Sequence, residues 1–170
     1  LTAFIVAVLM IPNSIAQSRG KITGQPRLGL GLDFAFPTGD FGDRANYGFG
    51  GSVNYLHPVG KFLNIIGNVG YLRLEGDDVG PFKYTEGYVP IKAGARYYIT
   101  QNIYGEGQAG IAIPTANGSG SGTAFAYMPG LGVDFPVSED LNIELTLRYE
   151  NWARSNGTRS FVGLRAGISF

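Results

Sequence analysis

The sequence predicts an all-β fold, an eight-stranded antiparallel up-and-down transmembrane β-barrel. Three observations predict it. A period of two recurs in eight stretches, each with one apolar face and one small or polar face. The links between stretches alternate between long, Gly/Asp/Ser-rich segments and short turns, as the two ends of a membrane barrel require. The polar faces carry Gly, Asn, Ser and Ala with isolated charges. A solvent-facing sheet, as on a soluble ligand-binding barrel, would carry many Lys and Glu instead. Small side chains suit the narrow interior of an eight-stranded barrel.

Composition bounds the rest. The 170 residues suffice for one domain. A formal net charge of zero leaves no basic footprint for nucleic acid. The absence of cysteine removes disulfides and Cys-based metal sites. Charged residues make up only 15%, while 27 residues are Gly and 13% are aromatic, a balance that favours strands.

Leu1 to Ile11 is an apolar run followed by Pro12-Asn13-Ser14-Ile15-Ala16, and the small residues at Ser14 and Ala16 fit a secretory cleavage site. Residues 1–16 therefore read as a signal peptide, with a short buried helix as the alternative. At about eleven apolar residues the run is too short to cross a bilayer, so membrane residence falls to the strands. Residues 17–24 are a polar lead-in and residues 25–170 the barrel.

The first strand is expected at about Gln25 to Phe36, with Leu28, Leu30, Leu32, Phe34 and Phe36 on one face and Arg27, Gly29, Gly31, Asp33 and Ala35 on the other. A loop over Pro37 to Ala45 leads to the second, Asn46 to Leu56, and the turn His57 to Gly60 to the third, Lys61 to Leu74. There Leu63, Ile65, Val69 and Tyr71 share the apolar face, and Ile66 and Leu72 break the pattern. A longer polar loop spans Glu75 to Glu86. The fourth strand, Gly87 to Ile99, sets Val89, Ile91, Ala93, Ala95 and Tyr97 against Lys92, Gly94 and Arg96. The fifth, Ile103 to Ile113, follows the turn Thr100 to Asn102 and carries Glu106, Gln108 and Gly110 on its polar face.

Pro114 to Gly122 is a Gly/Ser loop. The sixth strand, Thr123 to Phe135, opposes Phe125, Tyr127, Leu131, Val133 and Phe135 to Gly130, Gly132 and Asp134. Pro129 lies inside it, on the apolar side. A closed barrel has no free edge for proline, so the strand must bulge or drop a ladder bond there. The seventh strand, Leu141 to Asn151, carries Glu144, Thr146, Arg148 and Glu150 on its polar face, and a loop spans Ala153 to Arg159. The eighth, Ser160 to Phe170, alternates Val162, Leu164, Ala166, Ile168 and Phe170 with Gly163, Arg165, Gly167 and Ser169.

The expected interior charges balance. Arg27, Lys92, Arg96, Arg148 and Arg165 face Asp33, Glu106, Asp134, Glu144 and Glu150. Unpaired buried charge is expensive, so an ion-pair network filling the lumen follows. Arg165 is expected near Asp33 or Glu144. Aromatics gather near strand ends: Phe34, Phe36, Tyr47, Phe49, Tyr71 and Trp152 toward the loops, and Tyr55, Tyr97, Phe135 and Phe170 toward the turns. They read as interface girdles.

Catalytic signals are weak. Gly105 to Gly110 matches a dinucleotide-binding glycine pattern, but Pro114 follows where a helix is needed. His57 is the single histidine and sits in a turn. Asp40, Asp43, Asp77 and Asp78 lack the spacing of a calcium loop and read as solvated carboxylates. No cofactor or metal is expected.

With these residues in hand, the chain resembles the small eight-stranded outer-membrane barrels of the OmpA/OmpX type. The resemblance covers residues 25–170. It implies residence in the bacterial outer membrane, contact with outer-membrane lipid, and insertion by the barrel-assembly machinery through a terminal signal at Ile168 and Phe170. Arg165 departs from the Gly often found in that signal. It further implies a non-enzymatic, porin-like barrel with a side-chain-filled interior, acting as envelope scaffold or contacting a host or envelope partner through its loops. The alternative it suggests is a narrow or laterally open conduit for small hydrophobic molecules, as in OmpW-like barrels. A lipid-modifying enzyme is disfavoured, because His57 sits in a turn rather than beside a Ser at the loop end.

Overall fold

The computed structural model describes residues 25–43, 45–79, 82–115, 122–155 and 157–170. Residues 1–24, on which the signal-peptide expectation falls, lie outside them. Eight strands form: β1 (Arg27–Thr38), β2 (Tyr47–Pro58), β3 (Leu63–Val79), β4 (Phe82–Tyr98), β5 (Ile103–Pro114), β6 (Ala124–Pro136), β7 (Asn142–Arg154) and β8 (Gly157–Ser169). Each pairs antiparallel with its sequence neighbours, and β8 returns to β1 to close the barrel. The closing register sets Asp33 opposite Arg165 and Leu30 opposite Ile168. No strand edge is left to template aggregation, which is how a barrel satisfies its backbone where water is absent.

Two expected loops turn out to be strand. Residues 75–79 and 82–86 extend β3 and β4, which reach 17 residues each. Residues 153–154 and 157–159 extend β7 and β8, which pair up to Arg154 opposite Gly157. Polar composition had suggested loops, but above the membrane a hairpin has water on its faces and needs no apolar side. At about 3.3 Å per residue, 17 residues overshoot an apolar band about 25 Å tall even when tilted. The β1–β2 connection carries a 3-10 turn at Gly39–Phe41, entered through Gly39 at a φ of 61°.

The exterior is apolar. Leu32, Leu131 and Leu147 are 60, 61 and 57% exposed, while Arg96 and Glu144 inside are fully buried. A water-soluble chain has the opposite arrangement; this one suits hydrocarbon outside and a polar filling inside. Phe34, Phe36, Tyr47, Phe49 and Tyr71 at the loop end, and Tyr55, Tyr97, Phe135 and Phe170 at the turn end, project outward as the girdles require. Trp152 does not. It is fully buried in the lumen, because it shares the parity of Glu144, Arg148 and Glu150 along β7. Leu131→Arg is expected to cost about 2–4 kcal/mol when folding into lipid vesicles is titrated with denaturant. No loss would mean that this face does not meet hydrocarbon.

Ile66 and Leu72, which broke the alternation, point inward. Leu72 joins Leu74, Tyr88, Trp152, Phe161, Ala35, Ala112, Ala124 and Ala126 in an apolar cluster that fills the loop end of the lumen, with Phe41 from the 3-10 turn packed into it. The interior is therefore layered, with apolar side chains at the loop end and charged ones below.

Candidate functional site

The lumen is the site, and strand parity builds it. Inward positions of β1 supply Arg27 and Asp33, β4 supplies Lys92 and Arg96, and β5 and β6 supply Glu106 and Asp134. Glu144, Arg148 and Glu150 come from β7, and Arg165 from β8. All ten pair, in two separate groups.

The group nearer the turns is centred on Arg96. Its guanidinium lies 3.0 Å from Glu106, 3.2 Å from Glu144 and 3.8 Å from Asp134, and stacks 3.8 Å over the Tyr104 ring. Tyr104 shares a 2.6 Å hydrogen bond with Thr146. Glu144 accepts a second cation, Arg165, at 3.1 Å, and Arg165 Nε donates to Ser52 Oγ. Arg27 stands 3.5 Å from Asp134 and donates to Tyr98, whose hydroxyl donates to Asp134 in turn. Three cations face three carboxylates.

The group nearer the loops is a chain. Asp33 meets Arg148 at 2.7 Å, Arg148 meets Glu150 at 3.1 Å, and Glu150 accepts from Lys92 at 2.7 Å. Trp152 Nε1 also donates to Glu150, at 2.8 Å, tying the apolar cluster to the charges beneath it. Two cations face two carboxylates. Each group is thus neutral by itself, and Arg165 takes Glu144 rather than its register partner Asp33, which Arg148 holds.

The inward glycines make room for these arginines. A Cβ on Gly31 would stand 2.6 Å from Arg165 Cζ, and one on Gly163 would stand 2.8 Å from Arg148 Nε. Beside Arg165 and Arg148 the adjacent strand leaves that room by carrying no side chain.

Above the apolar cluster, Arg159 closes the loop end. It pairs with Glu86, donates to the Tyr88 hydroxyl at 2.7 Å and lies 5.0 Å over the Phe41 ring. Sequence reasoning missed this cap. The parity of Tyr88, Trp152 and Phe161 with known inward residues was the signal that pointed to it.

The remaining candidates sit apart from this network. Pro129 faces outward. The β6–β7 ladder omits Met128 and Pro129 but holds the same register on both sides, so the strand drops pairing and does not bulge. Ile168 and Phe170 are 41 and 50% exposed on the exterior. His57 is exposed at the turn end of β2, far from the long hairpins. Among the described residues no group of three or more His, Cys, Asp or Glu comes together to hold a metal.

No family model matches the sequence, and a search of the curated proteins finds no match. The fold does match. Neisserial surface protein A aligns with a TM-score of 0.60 at 18% identity over 85% of this chain and 95% of its own. The chain has the fold of the eight-stranded outer-membrane barrels. OprG of Pseudomonas aeruginosa aligns at 0.59 and 11% identity, over 86% of this chain and 95% of its own. Ail, the attachment invasion locus protein of Yersinia pestis, aligns at 0.57 and 17%, over 87% and 99%.

Proposed function

We propose that the chain is a non-enzymatic barrel of the bacterial outer membrane with a closed lumen, serving as an envelope scaffold or surface-contact protein through its loop end. The observation that carries this reading is the filled interior: two neutral charge groups below a packed apolar cluster, with Arg159 and Phe41 above. Such an interior leaves no aqueous path at this strand number. The long β3–β4 hairpin then becomes the part that reaches beyond the membrane toward partners. Ail, whose structure was solved with the heparin analogue sucrose octasulfate, offers a precedent for contact by a barrel of this fold. Ile168 and Phe170, on the exterior of the last strand, are the residues we assign to recognition by the assembly machinery. Liposomes containing the folded protein are expected to swell in small sugars no faster than protein-free liposomes. Fast swelling overturns the closed reading.

A second reading, a lateral conduit for small hydrophobic molecules, draws on the ladder gap at Met128 and Pro129. Pro129→Cys with Tyr149→Cys would bridge that gap. Uptake of a hydrophobic probe that stops only on oxidation supports the conduit.

A further inference from the structure

We infer that the lumen holds one specific buried water beneath the apolar cluster, bound by Arg148, Asp33 and Glu150. The inference does not depend on whether the barrel is a scaffold or a conduit. Three independent features meet at one place. The first is a cavity with room for about a single water, lined by these three residues together with Lys92, Gly70 and Pro90. The second is a set of orphaned atoms. Asp33 Oδ1 stands 2.7 Å from Arg148 Nη1 and Glu150 Oε2 stands 3.1 Å from Arg148 Nε, but the N–H groups of these ion pairs are not aimed at the oxygens, which leaves hydrogen-bonding capacity unused. Their residues are 3, 1 and 8% exposed, so bulk solvent does not serve them. The third is a break in the wall. The β3–β4 ladder omits Gly70 and Tyr71 against Pro90 and Val89 while keeping register on both sides. Proline has no N–H to give, so a backbone acceptor beside the cavity loses its donor.

The chemistry of the orphans selects the ligand. Two of them are acceptors and one is a donor. A cation would satisfy the carboxylates but meet Arg148 and Lys92. An anion would satisfy Arg148 Nε but meet Asp33 and Glu150. Water accepts from Arg148 and donates to both carboxylates. The water thereby completes the loop-side charge group as a rigid layer.

A crystal structure of the folded full chain that shows ordered solvent tests this directly. One water peak within hydrogen-bond distance of Arg148 Nε, Asp33 Oδ1 and Glu150 Oε2 is expected. Absence of any solvent peak there overturns the inference, as does a peak with the coordination of an ion. Independently, the barrel in lipid nanodiscs should show a cross-relaxation peak between water and the Gly70 amide proton. Absence of that peak counts against a resident water.

Discussion

Arg96→Ala is expected to lower the stability of the folded barrel by about 3–5 kcal/mol, the scale for breaking a buried pair by removing one partner. The reason lies in what it leaves behind. Glu106, Glu144 and Asp134 all stand within 3.8 Å of that guanidinium, in a fully buried position. Arg27 and Arg165 remain, so three carboxylates would share two cations. Denaturant titration in lipid vesicles, or loss of heat-modifiable gel mobility at a lower temperature, measures the effect. Adding Glu144→Gln removes the excess charge and should recover part of the loss. A double-mutant cycle showing simple additivity would contradict the network, since residues in one network couple. Arg96→Lys should fall between, because an ammonium cannot serve three carboxylates and stack on Tyr104 as the planar fork does.

Trp152→Ala is expected to cost about 3–5 kcal/mol, the range for large aromatic truncations in a packed core. Trp152 is fully buried, with the Tyr88 ring 4.8 Å and the Phe161 ring 5.1 Å away. Its Nε1 also donates to Glu150. Trp152→Phe separates the two roles: it keeps most of the packing and loses the hydrogen bond, so its cost should be the smaller part. As the single tryptophan, it also reports its own burial. Its fluorescence should resist quenching by a water-soluble quencher in the folded barrel and become accessible on unfolding. Quenching in the folded state equal to that in the unfolded state would place it at the surface and remove it from the lumen.

Much of this architecture was legible in the sequence because a strand in a barrel wall has two unlike surroundings. Period-two alternation located eight strands, and parity assigned the ten charged residues to one interior. Parity could not fix which cation meets which acid. Asp33 and Arg165 are opposite in register, but side chains crossing the lumen choose partners from several strands, and Arg148 reaches Asp33 first. The loop end was harder to read. Segments 75–86 and 153–159 look like loops by composition because hairpins above the membrane no longer need an apolar face. Leu72 breaks the alternation because the interior at the loop end is apolar, and Ile66 is a buried apolar residue at the turn end of the lumen, opposite Leu56 in register. Trp152 has the residue type of an interface aromatic, but its parity along β7 places it inside.

The effect of Pro129 shows the same limit of local reading. Proline predicted either a bulge or a lost ladder bond, and the alternation flanking it, unchanged on both sides, was the clue that register is kept. Pro90, facing the lumen, interrupts the β3–β4 ladder in the same way. Neither break shifts the strands, because the pairing on either side holds the register that the lumen contacts require.

Planar-bilayer recording of the folded wild-type barrel tests whether its interior is closed. No steady open-channel current is expected at moderate voltage, with current rising when Arg96 is replaced by alanine. A steady, long-lived conductance in the wild-type protein would contradict a closed interior.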